Sequence, residues 1–144
     1  MATVSRLIGA PASQVWAVLD NGWTYSRWVV GTGAIRAVDL PFPEAGARLH
    51  YQIGRWPLAK KGVTTCLRHD APAEVELEAE GWPLGTVHIT LAVTEQDGGT
   101  LVAITEHPKR GLARAVHNPV LDRLIWLRNV ETLRRLEKAV LGQP

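Results

Sequence analysis

A single cysteine, Cys66, stands in a chain of 144 residues, so no internal disulfide can staple the fold and the paired cysteines of most zinc sites are missing. Nowhere do eighteen apolar residues run together, which argues against a membrane-spanning helix. The opening MATVSRLIGAPAS has no charged stretch followed by an apolar one, so a secretory leader is not expected either. The expectation is a cytoplasmic protein in a reducing compartment. Also absent are GxSxG, a Gly-rich phosphate loop, GxGxxG, HxxxH and CxxC. Hydrolase, nucleotide and dinucleotide chemistry therefore lack a motif, and neither a metal nor a cofactor is expected. The formal net charge of +2 is too small to imply a nucleic-acid partner, and no aromatic residues interleave with the basic group Lys109, Arg110, Arg114, Arg123 and Arg128 as base-stacking platforms would.

What the chain does have is tryptophan: Trp16, Trp23, Trp28, Trp56, Trp82 and Trp126, against one Phe and two Tyr. Such side chains fill a core or wall a pocket. The length suits one domain over 1–144, large enough to bury a core without metal or disulfide support, as a monomer or a homodimer.

The longest uninterrupted segment runs from about Asn118 to Leu141 and predicts a helix, with Asn118 as N-cap, Pro119 in the first turn and Gly142 as the stop. A 3.6-residue period puts Asp122, Trp126, Asn129, Val130, Leu133, Leu136 and Val140 on one face and Arg128, Glu131, Arg134, Arg135 and Lys138 opposite. The C-terminal half of that face is apolar, whereas Asp122 and Asn129 flank Trp126 in the other half, as a wet or ligand-filled space would require.

Ahead of it, Thr3–Gly9 reads as a strand, and Pro11–Asp20 and Gly22–Val29 as two short helices. Period-2 patterns then predict strands over 34–40, 47–53, 61–69, 74–80, 86–95 and 100–107. Leu49, Tyr51 and Ile53 share one inner face, Val63, Thr65 and Leu67 another, and Val87, Ile89, Leu91 and Val93 a third. The last strand allows two registers. One turns Val102, Ile104 and Glu106 inward, the other Leu101 and Ala103. Consecutive hairpins imply an antiparallel sheet, and its apolar face needs the long helix as cover. The expectation is an α+β fold of about seven strands curved around a C-terminal helix, with a space near one helix end.

Three phrases, APASQVWAVL after the first strand, TYSRWV in the second short helix and the ending NPVLDRLIWLRNVETLRRLEKAV, carry a resemblance over nearly the whole chain. The sequence resembles the helix-grip START/polyketide cyclase superfamily, also called SRPBCC, and most of all its small stand-alone bacterial members labelled polyketide cyclase/dehydrase-like. The resemblance implies the same architecture, and a function among lipid or steroid carriage, reception and polyketide cyclisation.

From the residues, the function expected is non-covalent binding of a small hydrophobic molecule between sheet and helix. Trp28, Trp56 and Trp126 would wall it, and Asp122, Asn129 and Tyr51 would orient oxygen atoms. Cyclisation or dehydration, which the resemblance permits, would need a general base, for which Glu106 and Asp122 are the candidates, and donors to an enolate from Tyr51, Asn129 or Arg55. A third reading is an interaction module using the basic loop Lys109 to Arg114 and the Arg-rich helix.

Overall fold

In the computed structural model, residues 2–54, 58–81, 85–110 and 119–142 are described. Alternating apolar and polar residues build seven strands: β1 (Ala2–Ile8), β2 (Ala34–Val38), β3 (Arg48–Ile53), β4 (Lys60–Asp70), β5 (Glu74–Gly81), β6 (Gly85–Gln96) and β7 (Gly99–Arg110). They form one curved antiparallel sheet in the order β1-β7-β6-β5-β4-β3-β2. The chain meanders from β2 to β7, and the N-terminal strand pairs with the last one, Val4 opposite Ile104. β5 shows the rule most clearly. Val75 and Leu77 are buried, while Glu74, Glu76 and Glu78 look out between their neighbours on the other face. Gly98 and Gly99, at φ 89° and 147°, turn β6 into β7, and a Cβ on Gly99 would fall 2.0 Å from the Ile8 carbonyl oxygen.

Between β1 and β2 lie α1 (Ala12–Leu19), a 3-10 turn at Gly22–Thr24 and α2 (Tyr25–Trp28). The Asn21 side chain caps the 3-10 turn by accepting from the Trp23 backbone N–H at 3.2 Å. Trp16 is buried, donates from Nε1 to the Pro72 carbonyl at 3.1 Å and meets the His69 ring edge-on at 5.3 Å. The long helix α3 (Pro119–Val140) packs on β1, α1 and α2. Leu133 and Leu136 are wholly buried, each contributing about 1.5–3 kcal/mol of apolar transfer. On the rim of this layer Arg6 of β1 donates to Glu137 of α3 at 3.0 Å.

Two faces differ from the sequence expectation. The buried stripe of α3 is Ile125, Asn129, Thr132, Leu133 and Leu136, so the helix is rolled toward Ile125, and both Asp122 and Trp126 are exposed, Trp126 by 45%. Period alone accommodates either phase, and the layer it packs against chooses. On β4 it is Gly62, Thr64 and Cys66 that point inward, with Leu67 exposed and Val63 and Thr65 half-buried. Register decides this one: Gly62 pairs with Tyr51 and Thr64 with Leu49, and residues directly opposite in antiparallel strands share a face. The apolar set Val63, Thr65, Leu67 is the more hydrophobic, yet the Tyr51 ring occupies the space over Gly62, where an added Cβ would lie 2.3 Å from its Cζ.

The third open question is closed by the same logic. β7 turns Val102, Ile104 and Glu106 inward, each at or below 5% exposure. The expected Asn118 cap lies outside the described residues.

A methyl at position 62 has no room without moving a buried tyrosine. Gly62→Ala should therefore lower unfolding free energy by about 1–3 kcal/mol in a urea titration, whereas Gly46→Ala, at a glycine with open space around it, should lack this packing penalty and show only the strain of its positive φ.

Candidate functional site

The C-terminal half of α3 meets the sheet through leucines, but its N-terminal half does not close the gap. Small residues on the opposing strands and loop, among them Gly31, Thr64, Ala79 and Gly85, leave a cavity of about 220 Å³. That is far more than the roughly 30 Å³ share of one water, and less than the ~300 Å³ at which pockets for drug-sized ligands begin. It suits a small guest. Its walls are mostly apolar, with Leu77, Val87, Ile89, Leu91 and Ile104 from the sheet and Trp28 from α2.

Trp28 is locked in place, 1% exposed, its Nε1 donating to Thr24 Oγ1 at 3.2 Å. Tyr25 lies against it, ring centroids 4.6 Å apart, and donates its hydroxyl to the Leu19 carbonyl at 2.8 Å. The backbone N–H of Val30 donates to Thr132 Oγ1 at 3.2 Å, which ties the loop after α2 to α3.

One polar cluster interrupts these walls. The inward register of β7 delivers Glu106, 1% exposed, and α3 answers with two consecutive residues: Arg128 Nη2 donates to Oε1, and Asn129 Nδ2 donates to Oε2 at 3.0 Å. A lone carboxylate in such a wall would be costly, and the two donors supply what water would have supplied. Tyr51 lines the same cavity and donates its hydroxyl to the Glu80 carbonyl at 3.2 Å. Burial pushes its phenol pKa up, the Arg128 charge opposing and Glu80 adding to the rise. Chemically the cluster offers a fixed carboxylate and a fixed cation side by side, so it can hold oxygen-bearing groups in one orientation. Both Glu106 oxygens already accept hydrogen bonds from α3, which hold the carboxylate in one position.

Of the residues singled out from the sequence, Trp28, Tyr51, Glu106 and Asn129 come together around this cavity. Asp122 and Trp126 do not: both are exposed and neither lines it. Arg55 and Trp56 lie outside the described residues. Arg128, placed by the helical wheel on the solvent face, is the residue that sequence reasoning missed. An arginine on the polar side of a helical wheel gives no sign of its own, and the one indirect signal, an inward Glu106 facing α3, depended on a register that the sequence left open. Among the described residues no three His, Cys, Asp or Glu side chains gather as metal ligands, and no helix is long and apolar enough to cross a membrane.

Arg128→Met would leave Glu106 buried with half its support and should cost about 3 kcal/mol in chemical denaturation. Asp122→Asn, on the exposed first turn, should stay within about 0.5 kcal/mol of the parent.

A second expectation concerns alkaline pH. The chain's two tyrosines, Tyr25 and Tyr51, are both buried with phenols raised above their ordinary value, in each case chiefly by burial. The stability linked to the neutral phenols is complete below about pH 10, the unfolded value, and is lost as pH rises through the folded values. Absorbance near 295 nm should show no normal tyrosine titration while the chain is folded, then both phenols ionising together as it unfolds.

Comparison with known proteins places this geometry. The family model described as polyketide cyclase / dehydrase and lipid transport matches residues 1–140. No curated protein matches the sequence. Among solved structures, a protein from Rhodobacter sphaeroides superposes with a TM-score of 0.74 at 17% identity, covering 99% of this chain and 92% of its own. CalU16 from Micromonospora echinospora gives 0.67 at 18% identity, covering 99% and 74%. DynU16, a protein of the dynemicin biosynthetic locus, gives 0.74 at 12% identity, covering 99% of this chain and 48% of its own. At these identities the likeness is one of fold.

Proposed function

The chain belongs to the polyketide cyclase / dehydrase and lipid transport family, and from that premise we propose that it binds one small, largely apolar molecule non-covalently in the cavity between the sheet and the N-terminal half of α3. The observation that carries the reading is the cavity itself, about 220 Å³ with apolar walls and one convergent polar cluster. Trp28 and the aliphatic side chains of β5, β6 and β7 would exclude water from the guest. Tyr51 and the Glu106–Arg128–Asn129 cluster would fix the orientation of its oxygen atoms. The walls need no cofactor for this.

Cyclase or dehydratase chemistry is the second reading, favoured by the position of Glu106 in the cavity wall. As a base Glu106 would have to take a substrate proton while both of its oxygens accept hydrogen bonds from Arg128 and Asn129. The arrangement suits positioning better than proton abstraction. The basic-surface reading has less to stand on. Arg134 and Arg135 are tied within α3 to Glu131, whose carboxyl they hold down at about 2, Arg134 first. The side chains of Lys109, Arg110 and Arg114 lie outside the described residues.

Native mass spectrometry of the purified chain, with solvent extraction of anything bound, should reveal a small apolar adduct or a protein that takes one up. Filling the cavity by Ile89→Trp should lower affinity for that adduct about tenfold or more while leaving the thermal midpoint within a few degrees. A chain that is empty as purified, and whose melting is unmoved by every apolar compound offered, would remove the reading.

A further inference from the structure

We infer that the Glu106–Arg128–Asn129 cluster makes the cavity selective for neutral molecules bearing a hydroxyl group, and against carboxylates of the same shape. The inference rests on the ligand-binding reading above and specifies the chemical class of the ligand.

The argument is one of charge and of donor count. Glu106 and Arg128 already neutralise each other at the wall, with Glu106 1% and Asn129 2% exposed. Each Glu106 oxygen accepts one hydrogen bond from α3, and a carboxylate has about four acceptor sites. A ligand O–H can therefore donate to Glu106 without breaking either bond. A ligand carboxylate has no proton to give. Arg128 has further N–H groups beside the one that binds Glu106, but its single charge is already matched by Glu106, so the arrival of a carboxylate turns a neutral cluster into one with a net negative charge beside Ile89, Leu91 and Ile104. An unmatched buried anion is strongly disfavoured. Among the described residues no second cation lines the cavity to offset that charge, and the Tyr51 proton is committed to the Glu80 carbonyl.

Three probes of one shape separate these effects: 2-naphthalenemethanol, 2-methylnaphthalene and 2-naphthoate, titrated calorimetrically into the full chain at pH 7.5. The alcohol should bind about 2- to 10-fold tighter than the methyl compound, the worth of one net hydrogen bond, and about tenfold or more tighter than naphthoate. In Glu106→Gln the Arg128 charge loses its partner, so naphthoate should become the tightest of the three. Naphthoate binding the parent chain as tightly as the alcohol would overturn the selectivity and leave the cavity reading standing. If none of the three bound, the cavity reading would fall and this inference with it. The order among the three in the parent chain decides the matter even if the variant folds poorly, and an unchanged order in a well-folded Glu106→Gln would also overturn it.

Discussion

A carboxylate on the inner face of an apolar sheet sets the terms for much of this structure. Glu106 is 1% exposed, and where β7 turns it inward the facing helix α3 supplies donors from Arg128 and Asn129. That contact fixes the roll of α3. With Asn129 and Arg128 toward Glu106, Ile125, Thr132, Leu133 and Leu136 follow onto the buried side and Trp126 is carried outward. The polar contact and the leucine seam are two ends of one constraint, the first specifying the phase of the helix and the second holding it.

The cavity follows from the same arrangement. At the C-terminal half of α3 Leu133 and Leu136 are wholly buried, while at the other half the sheet presents small residues and the helix presents a polar pair that cannot be packed into hydrocarbon. Apolar filling there would strand Glu106. A space with mostly apolar walls and one satisfied ion pair is a poor core, and it lies on a fold shared with solved structures such as the Rhodobacter sphaeroides protein.

How much of this could be read beforehand depends on the kind of pattern involved. The comb Glu74, Glu76, Glu78, Glu80 around Val75 and Leu77 left β5 one orientation, and the uninterrupted run after Pro119 left α3 no rival to the helix. β4 was different. Val63, Thr65 and Leu67 alternate as well as Gly62, Thr64 and Cys66 do, and the choice was made by Tyr51 across the ladder, whose ring needs the bare Cα of Gly62. On α3, Asp122 and Trp126 satisfy the 3.6-residue period with the leucines, yet a period does not say how far along the helix the cover extends. Trp28, Tyr51, Glu106 and Asn129 were legible as site candidates because a polar or amphipathic residue on an apolar face asks for a reason. Arg128 was not, because an arginine among arginines on a polar face asks for none.

Local pattern by itself determined the α+β class, the strand and helix order, the meander and the long helical cover, since each rests on contacts between residues close in sequence or on periodicities of 2 and 3.6. Tertiary structure alone decided which face of β4 is inside, which register β7 takes, how α3 is rolled and that Arg128 belongs to the cavity. Each of those depends on a partner on another element, Gly62 on Tyr51 and Glu106 on Arg128, and an amphipathic pattern carries no information about what lies opposite.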